Sequence, residues 1–196
     1  MLSPKTKRTF LNLIAVFLGF TFFGAGMAKL YAEHQYFGWI GPTWLVEKLE
    51  EYGLGFYGQF IALSQILIGY LLITTRYKLL GSIMLIPMIL NILMITISLE
   101  WKGTPFVLGG LLTLNLLILW HYRDFFAPLI NEGKSGNQPK SRQKRTWKGH
   151  MVWTVGLALQ FVSIAISFSS IWLAFGTSMI GIIISLLSFK VDKINQ

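Results

Sequence analysis

Six runs of this chain are each long and apolar enough to cross a lipid bilayer, which excludes most folds at once. They are roughly Thr9–Tyr31, Leu54–Thr75, Leu79–Leu99, Pro105–His121, Met151–Phe168 and Ile171–Phe189. About 20 mostly apolar residues take a helix through the hydrocarbon core. Inside lipid every backbone N–H and C=O must be satisfied within the protein, which leaves helices or a closed barrel. These runs are continuous rather than alternating, so a barrel is excluded. The expected fold is all-α: a polytopic membrane protein with spans one to four in an antiparallel transmembrane bundle and the last two forming a C-terminal transmembrane hairpin. The corresponding divisions are 1–126 for the four-helix domain, 127–149 for a basic linker and 150–196 for the hairpin.

Charge sets the expected orientation. Of the 17 Lys and Arg residues, 14 fall at the N-terminus, in the second and fourth loops, or at the C-terminus. Lys29, Lys48 and Lys102 belong to the opposite side. This positive-inside pattern places both termini in the cytoplasm of a cell-membrane protein. A net charge of +9 would suggest nucleic acid in a soluble protein. Here the basic residues sit where anionic lipid attracts them, so the bilayer is the expected partner and nucleic acid is not. Cysteine is absent, which excludes disulfides and thiol chemistry by this chain. Lys5, Lys7 and Arg8 before an apolar run ending in small residues have the outline of a secretory signal. That run is longer than a usual signal core, and Lys29 would follow any cleavage after Ala28, so it is expected to stay as the first span.

The segment Ala32–Gly53 is the longest outer loop. Within it Thr43–Tyr52 is patterned as a short helix, with Trp44, Leu45, Leu49 and Tyr52 on one side, Thr43 as N-cap and Gly53 as stop. It could lie at the membrane interface or cap the bundle. Loops Thr75–Lys78 and Glu100–Thr104 are tight. The stretch Arg123–Gly149 is polar, basic and of a composition that favours disorder. Trp101, Trp120, Trp147 and Trp172 fall near span ends, where interfacial anchors belong.

Polar groups are expensive within a membrane, so each one calls for a partner or a function. Gln65, Asn91 and Asn115 lie near mid-membrane, while Lys29 and Gln59 lie near the outer boundary. These five are the candidate ligand- or partner-binding residues. Interhelical hydrogen bonding is the competing reading for the amides, and snorkelling to headgroups for Lys29. Glu33, one turn beyond Lys29, is its candidate ion-pair partner. Pro87 should kink span three, leaving backbone groups that Asn91 could bond. Gly58, Ala62, Gln65 and Gly69 share one small face that admits a close neighbour, whereas Leu67 and Leu71 should face lipid. No acidic residue lies within a span, no histidine pair suits haem, and no phosphate-loop, serine-hydrolase or zinc-protease motif is present. No metal site is expected.

Residues of about 9–126 resemble the DoxX-like family of small four-helix membrane proteins. The likeness rests on Phe23-Gly24-Ala25-Gly26-Met27-Ala28-Lys29-Leu30, on Leu49-Glu50-Glu51-Tyr52-Gly53, on Ile61-Ala62-Leu63-Ser64-Gln65-Ile66-Leu67-Ile68-Gly69, and on Arg76 and Gly81. The family commonly has a glutamate where Gln65 stands, and its four-helix pattern does not extend to the last two spans. The resemblance implies an accessory subunit of a sulfur- or quinone-linked redox system, working with a membrane or peripheral protein partner. The residues leave the cofactor open; a quinone is one candidate, whose carbonyl groups Lys29, Gln59 and Gln65 could hydrogen-bond. The alternatives are a non-enzymatic assembly factor that recognises helices through the small face of span two, and a small-solute transporter with Gly109-Gly110 interrupting span four.

Single cysteines at Glu50 and Ser141 should differ in labelling by an impermeant maleimide on intact cells, with Glu50 labelled and Ser141 protected. The reverse pattern would overturn the orientation.

Overall fold

The computed structural model describes residues 3–37, 41–130 and 145–194. Their architecture is all-helical: α1 (Pro4–Leu30), α2 (Leu45–Glu50), α3 (Gly55–Ile73), α4 (Lys78–Ser98), α5 (Thr104–His121), α6 (Arg123–Ile130), α7 (Trp147–Ser167) and α8 (Ile171–Ile194). Six of these, α1, α3, α4, α5, α7 and α8, are long and apolar enough to cross a membrane. Together they make a multi-pass membrane protein. Part of the segment expected to be disordered is helical, since α6 occupies its first residues. Residues 131–144 of that segment, and of the 127–149 linker, lie outside the described residues.

Local chemistry explains where helices stop. The Ser3 hydroxyl accepts from the Thr6 N–H at the start of α1, satisfying one otherwise unpaired donor. After α2, Gly53 takes φ +72° and the Leu54 N–H reaches back to the Leu49 carbonyl, a left-handed C-terminal cap. The same closure ends α4, where Glu100 takes φ +55° and the Trp101 N–H bonds the Thr96 carbonyl. Proline opens the next helix, α5, after Gly103 at φ +95°. Helix α2 is shorter than expected. Its N-cap is Trp44, which makes no side-chain cap bond, so Thr43 does not serve. Leu45 and Leu49 are buried while Trp44 and Tyr52 stay exposed, which splits the apolar side expected for it.

The chain divides into two compact units, Met1–Phe20 with Leu71–Lys140 and Thr21–Tyr70 with Ser141–Gln196. In the first, α4 and α5 pack with Leu85, Ile89, Leu108 and Ile118 buried. The tight turn into α4 puts Thr75 at φ +52° and brings Gly81 against Leu71 and Leu72, where a Cβ would meet side chains at 3.0–3.1 Å. Leu71 is therefore buried and not lipid-facing, because α4 folds back over it. Arg76 in this turn is fully buried, and the Lys78 ammonium donates to Asn12 Oδ1 at 2.8 Å and lies 5.4 Å from the Tyr122 ring.

In the second unit the backbones of α1 and α3 touch. A Cβ at Gly26 would come within 2.6 Å of the Ala62 carbonyl oxygen, and one at Gly69 would overlap the Phe23 backbone. Gly58, Ala62, Gln65 and Gly69 are all buried, so the small face of α3 is turned inward. Helix–helix association in lipid relies on such close approach, because the surrounding tails are as apolar as the helices. Helices α7 and α8 pack through a second small face, described below.

Gly69→Ala should therefore destabilise the protein by about 1–3 kcal/mol through overpacking. Gly110→Ala, with nothing near its added methyl, should be neutral or stabilising by up to about 1 kcal/mol of helix propensity. Thermal unfolding in one mild detergent distinguishes the two.

Candidate functional site

The last turns of α1 are buried on nearly every side, so the polar group carried there is buried with them. Lys29 is 6% exposed, and its ammonium donates to the Ala25 carbonyl, one turn back, at 2.9 Å. An ammonium has three hydrogens to donate, and this bond uses one. The loop closes over it at Gly41, whose φ of +113° suits glycine, and where a Cβ would stand 3.1 Å from Ala25 Cβ and 3.7 Å from Lys29 Nζ. Glu33 is not its counter-ion. That residue sits at φ +49° in the 3-10 turn Ala32–His34, and its carboxylate accepts from Gln35 Nε2 at 2.8 Å.

The turn beyond Lys29 is tied down from several directions. His34 Nδ1 donates to the Ala28 carbonyl at 2.9 Å, and its Nε2 faces a Glu47 carboxylate oxygen at 3.3 Å. The Ala32 N–H donates to Ser167 Oγ, and the Tyr31 hydroxyl donates to Ser163 Oγ at 2.9 Å. Tyr31, Tyr36 and Phe175 stack with ring centroids 4.7–5.9 Å apart. Burial pushes the Tyr36 phenol up to about 12, against the opposing effect of its contact with Ser178.

The five residues singled out from sequence are placed differently. Lys29 and Gln65 are buried in the same unit, and Gln65 Oε1 has no hydrogen-bond partner among the described residues. Gln59 is exposed on α3, so it does not join the buried Lys29. Asn91 is exposed on α4 and leaves the backbone near Pro87 unassisted by any side-chain bond of its own. Asn115 belongs to the other unit, where its Nδ2 donates to the Ser82 carbonyl at 2.8 Å, a helix-pairing bond. Its Oδ1 and the Ser82 hydroxyl have no partner among the described residues. No group of three or more His, Asp or Glu that could hold a metal occurs among those residues.

Sequence reasoning missed an extended polar arrangement along α7 and α8. Along α7 the buried residues are Gly149, Trp153, Gly156, Gln160, Ser163 and Ser167; along α8 they are Ala174, Ser178, Gly181, Ser185, Ser188 and Asp192. Both sets recur at alternating spacings of four and three, the period of a left-handed helix pair. Gln160 is fully satisfied: Nε2 donates to the Gly156 and Ser178 carbonyls, while Oε1 accepts from the Ser178 hydroxyl at 2.7 Å. Ser185 donates to the Trp153 carbonyl, and the Tyr70 hydroxyl bonds both Ser185 and the Gly181 carbonyl. At the far end Asp192 accepts from the Thr146 N–H and hydroxyl, both at 2.9 Å. The recurrence of Gly, Ser and Gln at this period was the signal available in the sequence.

No protein-family model, curated protein or solved structure matches the chain.

The raised Tyr36 pKa has a sign. The unfolded phenol ionises near its ordinary value of about 10, so stability linked to neutral Tyr36 is complete below that pH. It is lost as pH rises towards about 12. Tyr36→Phe should flatten the fall in melting temperature across this window, and an unchanged alkaline slope would show that Tyr36 is not its source.

Proposed function

We propose that this protein is an accessory membrane component of a redox system, of the DoxX-like kind, that holds a quinone-type lipid against Lys29. The observation that carries the reading is the burial of the Lys29 ammonium with a backbone carbonyl as its one hydrogen-bond acceptor among the described residues. An uncompensated cation is costly in low dielectric, and an electron-rich oxygen on a ligand offsets that cost. Lys29 would donate to a carbonyl of the ring. Gln65, whose buried Oε1 is unpartnered, offers an acceptor for a reduced ring's hydroxyl in the same unit. The quinone supplies the two-electron chemistry, since no side chain here carries electrons between substrates unaided. A membrane or peripheral protein partner is needed to deliver or collect them. With 14 of 17 basic residues on the other side, Lys29 lies towards the outer face of a cell membrane and both termini are cytoplasmic.

Two observations favour this over the alternatives. An assembly factor reading other helices through the small face of α3 would need that face free, and Phe23 and Gly26 of α1 occupy it. A transporter with a broken fourth span would need an interruption at Gly109-Gly110, where α5 runs unbroken from Thr104 to His121.

The wild-type protein purified in mild detergent should carry a quinone detectable by mass spectrometry of an organic extract. Lys29→Met should lower that yield about tenfold or more, the factor that roughly 1.4 kcal/mol of lost binding gives, with little change in melting temperature. Quinone retained by the variant, or absent from the wild type, rejects the reading.

A further inference from the structure

Five carboxylates, Glu33, Glu47, Glu50, Glu51 and Asp192, fall in the unit that holds Lys29. None of them meets its ammonium. Glu33 accepts from Gln35, Glu47 faces His34, Glu51 bonds Lys48, and Asp192 accepts from Thr146. Glu50 is exposed, with its side chain beside Gly55. The contrast with Lys78, also buried, is plain. Lys78 has an Asn12 oxygen and the Tyr122 ring beside it, whereas Lys29 has the Ala25 carbonyl alone among the described residues.

The end of α1 does not close this gap. A helix C-terminus carries about half an elementary negative charge, so a full positive charge buried there stays partly unneutralised. The bond to Ala25 also draws the ammonium one turn back along α1, away from the helix end where a snorkelling lysine would find headgroups. Phe22, Phe23, Met27 and Ala28 of these turns are buried and apolar, so charge there is weakly screened. On one flank stands Gly41, where a Cβ would lie 3.7 Å from Lys29 Nζ. Glycine leaves that flank of the ammonium without a side chain.

We propose that the ligand of the Lys29 pocket binds as an anion: a quinone-type ring bearing an ionised hydroxyl, whose charged oxygen pairs with the ammonium. This rests on the reading that a quinone-type lipid lies against Lys29, and it adds the charge of that ligand. A neutral carbonyl accepts a hydrogen bond but leaves the net charge of the pocket in place, while an ionised oxygen cancels it. Desolvation of the cation, which makes many buried ion pairs unfavourable, has already been incurred in folding. Only the ligand's own desolvation remains, and a hydrogen bond with charge on both partners is about twice as strong as a neutral one. A hydroxyl on a quinone ring is a vinylogous acid and is ionised at neutral pH, so the anion forms without a co-reactant.

Two probes separate charge from shape: lawsone, a hydroxynaphthoquinone ionised at neutral pH, and its methyl ether, which has the same ring and no charge. Each is titrated against the purified full-length protein in one mild detergent by quenching of tryptophan fluorescence, with its partition into micelles corrected. Wild type should bind lawsone about tenfold more tightly than the ether. Lys29→Gln keeps a donor and removes the charge. It should hold the ether within about twofold of wild type and bind lawsone no better than the ether. Lys29→Met serves as the second uncharged variant if the melting temperature shows that glutamine is not tolerated. Equal wild-type affinity for the two probes, or a lawsone preference that survives loss of the charge, overturns the proposal. Tight, Lys29-dependent binding of the ether without a preference for lawsone removes the anion and leaves the quinone reading standing. Failure of both probes to bind removes both.

Discussion

Lipid gives helices no hydrophobic reason to associate, so everything in this molecule depends on how closely two backbones can approach. The contact that shows it is α1 on α3, where Gly26 admits the Ala62 carbonyl and Gly69 admits the Phe23 backbone. Dispersion forces fall off steeply with distance, and a side chain at either glycine would hold the helices apart. That crossing also presses the last turns of α1 into the interior. Lys29 is buried because its helix is packed this way.

The second adhesive is hydrogen bonding between helices. In the pair formed by α7 and α8, glycine and serine supply approach while Gln160, Ser178 and Ser185 supply bonds, so the same stripe performs both tasks. Tyr70 extends this network onto α3 through Gly181 and Ser185. In the other unit Asn115 reaches a carbonyl of α4, and Lys78 of α4 reaches Asn12 of α1. Polar groups left incomplete, at Gln65 and at Asn115 with Ser82, mark where helix pairing alone does not meet every demand.

Hydrophobic length made the six long helices legible, because a run of apolar residues bounded by charge has few alternatives. Small-residue spacing likewise pointed to the inward face of α3. Facing was harder elsewhere. Leu71 looks lipid-facing by its distance from Gln65 around the helix, but the return of α4 through Gly81 covers it. Counting along the chain suggests one depth for Lys29 and Gln59, but counting does not fix azimuth, and only Lys29 is buried. The α7 and α8 stripe escaped notice because serine is only mildly polar and does not interrupt a hydropathy profile. Its meaning lies in the period, not in any one residue.

Tyr31 and Ser163 are 132 residues apart in sequence. A ribosome adding about 5–20 residues per second leaves the end of α1 waiting roughly 7 to 26 seconds for the serines that will bond it. Throughout that interval Tyr31 and the Ala32 N–H must rely on water, headgroups or the insertion machinery. Biogenesis of this protein therefore has a fixed clock, set by how late the last two helices arrive.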